Sequence, residues 1–214
     1  MKNEKQLKTE KALKLIEIIN SNDQLIKVFD ALDEIDMNNY YIGAGAVVQS
    51  VWNELTKKKS NYGISDIDIV YYDEHKNTEY DEKRITQEIY DRISEFPYKI
   101  DVKNEARVHL WYKDKFGYNI DQYKSLEEAI DSWPTTSTSL GIRRENKVEW
   151  SIYAPFGLDD IFDLKLRANS RQITEEIYMN KVQKWCSKWS ELKYEKWNVE
   201  IIPIKYPNVI KIKI

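Results

Sequence analysis

One cysteine, Cys186, is all that the 214 residues hold. No disulfide can form within the chain, and a single thiol suits a reducing cytoplasm, the expected location. The thiol lies in KVQKWCSKW with neither a histidine nor a second cysteine beside it. That setting fits packing, not nucleophilic catalysis. Histidine is almost as scarce, with two residues. His75 falls in a loop, and His109 sits between Val108 and Leu110, where packing accounts for it. No apolar run approaches the length of a membrane span. The start, MKNEKQLKTEKALKLIEIINSN, is charged and amphipathic, without the apolar core and small-residue cleavage site of a secretory signal. No membrane partner is expected. Net charge is also small, −3 with a pI near 5.6. Overall charge therefore gives no help in holding nucleic acid, and any basic surface must be local. Internal repeats and low-complexity linkers are absent.

What the chain does hold is enough apolar and aromatic residues for one sizeable core. Residues 3–20 and 23–35 read as helices, with Leu13, Ile16 and Ile19 on one face and Ser21, Asn22 and Asp23 breaking between them. YYIGAGA (40–46) reads as a short strand ending in glycines, and VVQSVWNELTKKK (47–59) as the helix after it. DIDIVYY (66–72) is a second strand. EYDEKRITQEIYDRISEF (79–96) is a helix with Ile85, Ile89 and Ile93 at four-residue spacing. YKIDVKN (98–104) is a third strand and ARVHLWY (106–112) a fourth. Residues 125–133 form a short helix capped by Ser125. TSTSLGIRR and KVEWSIYA pair as a hairpin across Glu145 and Asn146. GLDDIFDLKLR and TEEIYMNKVQKWCSKWSEL read as helices. VEIIPIKYPNVIKIKI alternates as a tail or edge strand without an assigned place. The expected fold class is α+β. It has a small mixed β-sheet flanked by helices, as one domain with a core at about 38–190, N-terminal helices over 1–36 and an extended tail over 197–214.

The chemistry concentrates in YGISDIDIVYYD (62–73). Residues i and i+2 of a strand share a face, so Asp66 and Asp68 present carboxylates side by side while Ile67 and Ile69 point the other way. Adjacent carboxylates repel and raise each other's pKa unless a cation lies between them. Hard oxygen donors suit Mg²⁺ or Mn²⁺. A bare D-x-D is common and equally describes two solvated aspartates at a strand's entry. Two further features add to it. Asp101 in YKIDVKN places a third carboxylate in a strand-like run. Gly43 and Gly45 close a strand just before a helix, a turn that lets backbone N–H groups approach a phosphate. The same turn needs glycine for geometry alone. In order, a glycine turn, a helix, a D-x-D strand, a helix and a single-Asp strand form a constellation for metal-assisted phosphoryl chemistry.

At these residues the sequence resembles the polymerase-β-type nucleotidyltransferase superfamily. More closely, it resembles a bacterial family of nucleotidyltransferase-like proteins related to the head domain of CCA-adding enzymes. The matching segments are YIGAGAVVQSVWN, YGISDIDIVYYD, DVKNEARVHLWY, SLEEAIDSWPTTSTSLGIR and IYAPFGLDDIF, spanning about 40 to 185. The resemblance implies a sheet of nucleotidyltransferase type, with Asp66, Asp68 and Asp101 as catalytic residues and metal ligands. Asp101 would help activate an acceptor hydroxyl, and Gly43, Ala44 and Gly45 would line the triphosphate. The implied reaction passes a nucleoside monophosphate from a nucleoside triphosphate to a hydroxyl on an RNA end, a protein or a small molecule. Where the superfamily has glycine or serine at the turn's second position, this chain has Ala44 or Ala46. Where the CCA-adding head has an arginine, it has Val48 or Gln49. The alternatives are a metal–nucleotide binding module of the same fold that transfers nothing, and a hydrolase using water. Too little chain follows the third carboxylate for the helical domains that hold tRNA, so CCA addition is not expected.

Other residues have two readings each. Arg143 or Arg144 in GIRR could bind a phosphate bidentately or be a hairpin charge near Glu145, with the phosphate role favoured for Arg143 and the hairpin charge for Arg144. Lys165, Arg167 and Arg171 form either a basic patch or a solvated face. WPTTSTS supplies a hydroxyl cluster that reads first as loop chemistry. Trp111, Trp150, Trp185 and Trp189 are core candidates, with base stacking as the alternative.

Overall fold

The computed structural model describes residues 4–75 and 78–214. Helices α1 (Glu4–Asn20) and α2 (Asp23–Glu34) meet at Asn22, whose side-chain oxygen accepts the N–H groups of Gln24 and Leu25 at 3.2 and 3.4 Å. This is the N-cap expected at that break. Strand β1 (Tyr40–Gly43) runs directly into α3 (Ala44–Leu55), and β2 (Asp66–Tyr71) follows. Helix α4 (Glu79–Tyr90) opens on a capping box between Thr78 and Asp81. It returns the chain to β3 (Lys99–Asn104), parallel to β2. A 3-10 turn, Glu105–Arg107, leads to α5 (Val108–Phe116), followed by α6 (Leu126–Asp131) with Ser125 as its cap. The hairpin β4 (Gly141–Asn146) and β5 (Glu149–Tyr153) comes next, then α7 (Asp159–Phe162) and β6 (Lys165–Leu166). Helix α8 (Glu175–Cys186), β7 (Lys193–Tyr194) and β8 (Ile210–Lys213) complete the order.

Six strands form one mixed sheet in the order β3-β2-β1-β4-β5-β8, and β6 pairs with β7 apart from it. The parallel β2–β3 pair needs a crossover, which α4 supplies; the other neighbours in the large sheet are antiparallel. The alternating tail that the sequence left unplaced is β8, an edge strand on β5 with Trp150 opposite Ile212.

One face of the sheet is the core. Ile42, Ile67, Ile69, Ile100, Val102, Ile142, Trp150 and Ile152 belong to the same buried cluster as Leu15, Ile19, Phe29, Val47, Val51, Ile85 and Ile89 from α1 to α4. Phe29 meets Trp150 edge to face at 4.9 Å. Trp52 of α3 packs against Trp185 and Trp189, and the Trp189 indole N–H donates to Asn53 at 2.8 Å. On the opposite face Tyr41, Val70 and Tyr153 lie beneath Leu126 and Ile130 of α6. That smaller cluster leaves the start of β2 uncovered.

Several elements differ from the sequence reading. ARVHLWY is not a strand. The Asn104 side chain accepts the Ala106 N–H at 3.1 Å, turning the chain out of β3, and Gly117 at φ +87° ends the helix that follows. Val108 and Tyr112, one helical turn apart, pack on Ala129. His109 is therefore helical. Helix α4 stops at Tyr90, short of Phe96, although Ile93 remains buried. Thr136–Ser139 is a hydrogen-bonded turn before β4 and not part of the hairpin: the Thr138 and Ser139 N–H groups donate to the Thr135 carbonyl. GLDDIFDLKLR holds one helical turn, which ends before Leu164 at φ +54° and the short β6. Among the described residues no helix is long and apolar enough to cross a membrane.

Candidate active site

The register of the sheet decides which sequence-distant residues meet. Asp68 pairs with Asp101 across β2 and β3, Gly43 pairs with Asp68 across β1 and β2, and Gly43 pairs with Gly141 across β1 and β4. Paired residues on neighbouring strands face the same way. Asp101, Asp68, Gly43 and Gly141 thus form a row across four strands, on the face away from the main core. Asp66, two residues back along β2, shares that face.

The three carboxylates have different surroundings. Asp66 is exposed and accepts the Ser65 hydroxyl at 2.6 Å. Asp101 is half-buried and faces two ammonium groups, Lys103 at 3.2 Å and Lys99 at 3.7 Å. Asp68, between them, has its pKa pushed up to about 6 by burial first and then by the charges of Asp66 and Asp101. A carboxylate raised by like charges is one that a cation would relieve. The donors fit a hard divalent ion in type and in register. In the arrangement seen, no three His, Cys, Asp or Glu side chains among the described residues close on one point. Asp66 is turned to Ser65, and Asp101 is neutralised by lysine.

Two charged groups near this row escaped the sequence reading. Glu105 is buried in the 3-10 turn, its carboxyl raised to about 8 by burial, then by Asp68 and Glu82. Lys181, half-buried on α8, has its pKa lowered by burial and by Lys184, with Asp68 and Asp66 opposing the shift. The helix following so far along the chain gave no sign of facing β2. Lys181 sat in the sequence as one of several lysines flanking Trp185.

The glycine turn is more constrained than its sequence shows. A Cβ on Gly43 would lie 2.3 Å from the Trp133 ring, so glycine is needed there for a close approach of an indole. Ala44 adopts φ +47°, and its N–H donates to the Leu140 carbonyl at 3.1 Å. That N–H is therefore engaged within the protein. Gly45 begins the first turn of α3, where a Cβ would come 3.1 Å from the Gln49 amide nitrogen. Gln49 is itself buried, with its side-chain oxygen unpartnered.

The basic candidates separate. Arg143 lies two residues along β4 from the Gly43–Gly141 pair, with its Nε 3.1 Å from Glu145 and its guanidinium over the Tyr41 ring. Arg144 is buried and binds Asp30 and Asp33 of α2 at 2.6 Å each, a structural tie. Lys165 pairs with Glu195, Arg167 with Asp160, and Arg171 with the Ile202 carbonyl, so these three hold separate parts of the chain together. The WPTTSTS hydroxyls are buried, with Thr136 donating to Asp160. Trp150, Trp185 and Trp189 are core residues. Trp111 is half-buried on α5.

A family model described as nucleotidyltransferase matches residues 30–194. Among solved structures, the chain is similar to one described as "The NMR structure of the protein reveals a CCA-adding enzyme head domain". The identity is 19%, with 86% of this chain and 96% of that chain covered and a TM-score of 0.70. At that identity the likeness is one of fold. No curated protein matches the chain.

Proposed function

The chain belongs to the nucleotidyltransferase family, and from that membership we propose that it transfers a nucleoside monophosphate from a nucleoside triphosphate to a hydroxyl acceptor. The observation that carries this reading is the register that puts Asp101 beside Asp68, with Asp66 on the same face and the α3 N-terminus next in the row. Asp66, Asp68 and Asp101 would hold Mg²⁺ or Mn²⁺, which supplies positive charge against the charge that develops on the phosphates.

The acceptor oxygen forms a bond to the α-phosphorus while the bond from that phosphorus to the α,β-bridging oxygen breaks. Pyrophosphate leaves, and the hydroxyl proton passes to a carboxylate and then to water. Asp101 stands on an edge strand and is the carboxylate an acceptor reaches from outside the sheet. Lys181 brings a fixed cation to Asp66 and Asp68 from α8, where it adds to the attraction for a polyphosphate. The positive end of α3 points into the same corner. Gly43 and Gly45 keep the backbone low there, while the Ala44 N–H, used by Leu140, is not among the phosphate donors. Positioning and electrostatics account for the catalysis, as is general for phosphoryl transfer.

Pyrophosphate release tests the reading. The chain is incubated with each nucleoside triphosphate, Mg²⁺ or Mn²⁺, and a panel of hydroxyl acceptors. Metal-dependent release, reduced at least a thousandfold in Asp68→Asn or Asp101→Asn, is the expected result. Metal-dependent triphosphate binding without release under any acceptor would favour the second reading, a binding module. The Ala44 N–H engaged by Leu140 and the carboxylates turned to Ser65 and Lys103 are the observations on its side.

A further inference from the structure

A cavity of 630 Å³ opens against the outer edge of β3, between α4 and α5, with Asp101 in its wall. It is on the far side of Asp101 from Gly43 and the α3 N-terminus, since β3 is the end strand of the sheet. Its lining is unusual for a protein of net charge −3. Lys83, Lys99, Lys103, Arg107 and Lys115 line it, against three carboxylates. One of those carboxylates is Asp101 itself, and binding a metal there would take from Lys99 its present counter-ion and leave Lys103 with Glu82 alone, at 3.9 Å.

Two details point to an anionic ligand with a flat ring. Arg107 is nine-tenths buried and lines the cavity. Its Nη1 binds Glu82 at 3.0 Å, but its buried Nε has no acceptor. The guanidinium is thus anchored by Glu82 in the cavity wall, where its charge suits a phosphate. Trp111, also in the lining, is half-buried, and the Lys115 ammonium lies 5.3 Å from its ring centre. An indole with a cation beside it is a platform for a base. The volume falls within the range of roughly 300–1,000 Å³ usual for small-molecule sites. That is space for one nucleotide unit, not for a folded partner.

We propose that this cavity is the acceptor site, and that the acceptor is a phosphate-bearing nucleotide unit whose hydroxyl is presented to Asp101 while its phosphate meets the lysines and Arg107. The assignment rests on the transfer reading above. A neutral sugar or a protein hydroxyl would leave the excess of cations without a purpose. A free nucleotide and the 3′ end of an oligonucleotide share the required chemistry, and the test separates them.

The full chain is titrated calorimetrically, without triphosphate, with a nucleoside 5′-monophosphate, with a short oligoribonucleotide bearing a free 3′ hydroxyl, and with the uncharged nucleoside. Binding of either phosphate-bearing probe and not of the nucleoside is expected. In Lys83→Glu/Trp111→Leu that binding should weaken at least tenfold at an unchanged unfolding midpoint, and Lys83→Arg should retain it. Tighter binding of the oligoribonucleotide identifies a nucleic-acid end, and tighter binding of the monophosphate a free nucleotide. Wild-type protein that binds Mg²⁺–triphosphate but neither probe overturns the acceptor assignment alone. Probe binding indifferent to the double variant overturns its placement. Probe binding at the cavity with no triphosphate bound under any metal overturns the acceptor role by removing the transfer reading beneath it.

Discussion

On one face of the sheet Ile67, Ile69, Ile100 and Val102 lie buried under helices; one residue along each strand, Asp66, Asp68 and Asp101 look the other way. The same few residues of backbone thus serve the core and the candidate site at once. The core face is satisfied by packing that is complete within the chain. The acidic face is not: its central carboxylate carries a raised pKa, and its neighbours are held by a serine and two lysines. Strand alternation keeps these two demands apart, since a change on one face reaches the other only through the backbone. The comparison teaches that core packing and the candidate site fall on different positions of the same strands.

The largest effect should come from breaking the core face. Trp150→Ala removes an indole that is 1% exposed and packed on Phe29, at a cost of about 3–5 kcal/mol by the usual behaviour of buried aromatic truncations. Urea unfolding measures it. Triphosphate binding should persist wherever the variant remains folded; its loss from a folded variant would show that the faces are coupled.

Asp68→Asn should act in the opposite sense on stability. A carboxyl whose folded pKa is raised to about 6 binds its proton more tightly in the folded state. Ionising it therefore lowers stability, progressively from the ordinary carboxylate range up to about pH 6 and fully above it. Removing the charge should stabilise the protein by about 1–3 kcal/mol at pH 8 and by little at pH 3.5. Thermal unfolding at both pH values checks the sign. A variant destabilised at pH 8 would mean that the acidic face carries no electrostatic strain.

Gly43→Ala tests the seam between the faces. The added methyl meets the Trp133 ring and must displace it, for about 1–3 kcal/mol as in other overpacked sites. Thermal unfolding gives that cost, and triphosphate affinity should fall with it, because the lesion adjoins Asp68 in the row.

The smallest effect concerns the other edge of the sheet. Burial alone would raise the Glu145 carboxyl, but Lys211 at 2.7 Å, the Ser151 hydroxyl and Arg143 hold it down at about 2. A lowered pKa contributes stability that is present above the ordinary carboxylate value and is lost as pH falls through about 2. Glu145→Gln should flatten the acid limb of the stability curve between those values and leave neutral-pH triphosphate binding unchanged. This sharpens the comparison by placing β8, tied to Glu145 through Lys211, outside the site.

Much of the fold was legible because local rules governed it. The caps at Asn22 and Ser125 and the alternation of β2, β3 and the hairpin are short-range features that physics imposes on neighbours in sequence. The misread segment ARVHLWY shows the limit. Its apolar run has no decisive period, and the cap from Asn104 and the contact of Tyr112 with Ala129 decided for helix. The three aspartates were legible as candidates because charge within an apolar strand is conspicuous. Lys181, Glu105 and Arg107 were not, since lysine, glutamate and arginine in charged stretches signal nothing until a distant element lies against them.

By itself the sequence determined the strand–helix–strand order, the side of β2 on which Asp66 and Asp68 stand, and the absence of a disulfide within the chain, because these follow from residue identity and two-residue periodicity. Tertiary structure decided that Asp101 stands level with Asp68, that Trp133 covers Gly43, that Lys181 of α8 comes within electrostatic reach of Asp68 and Asp66, and that the alternating tail closes the far edge on β5. Register and long-range docking depend on how whole faces bury against one another, and no window of neighbouring residues contains that information.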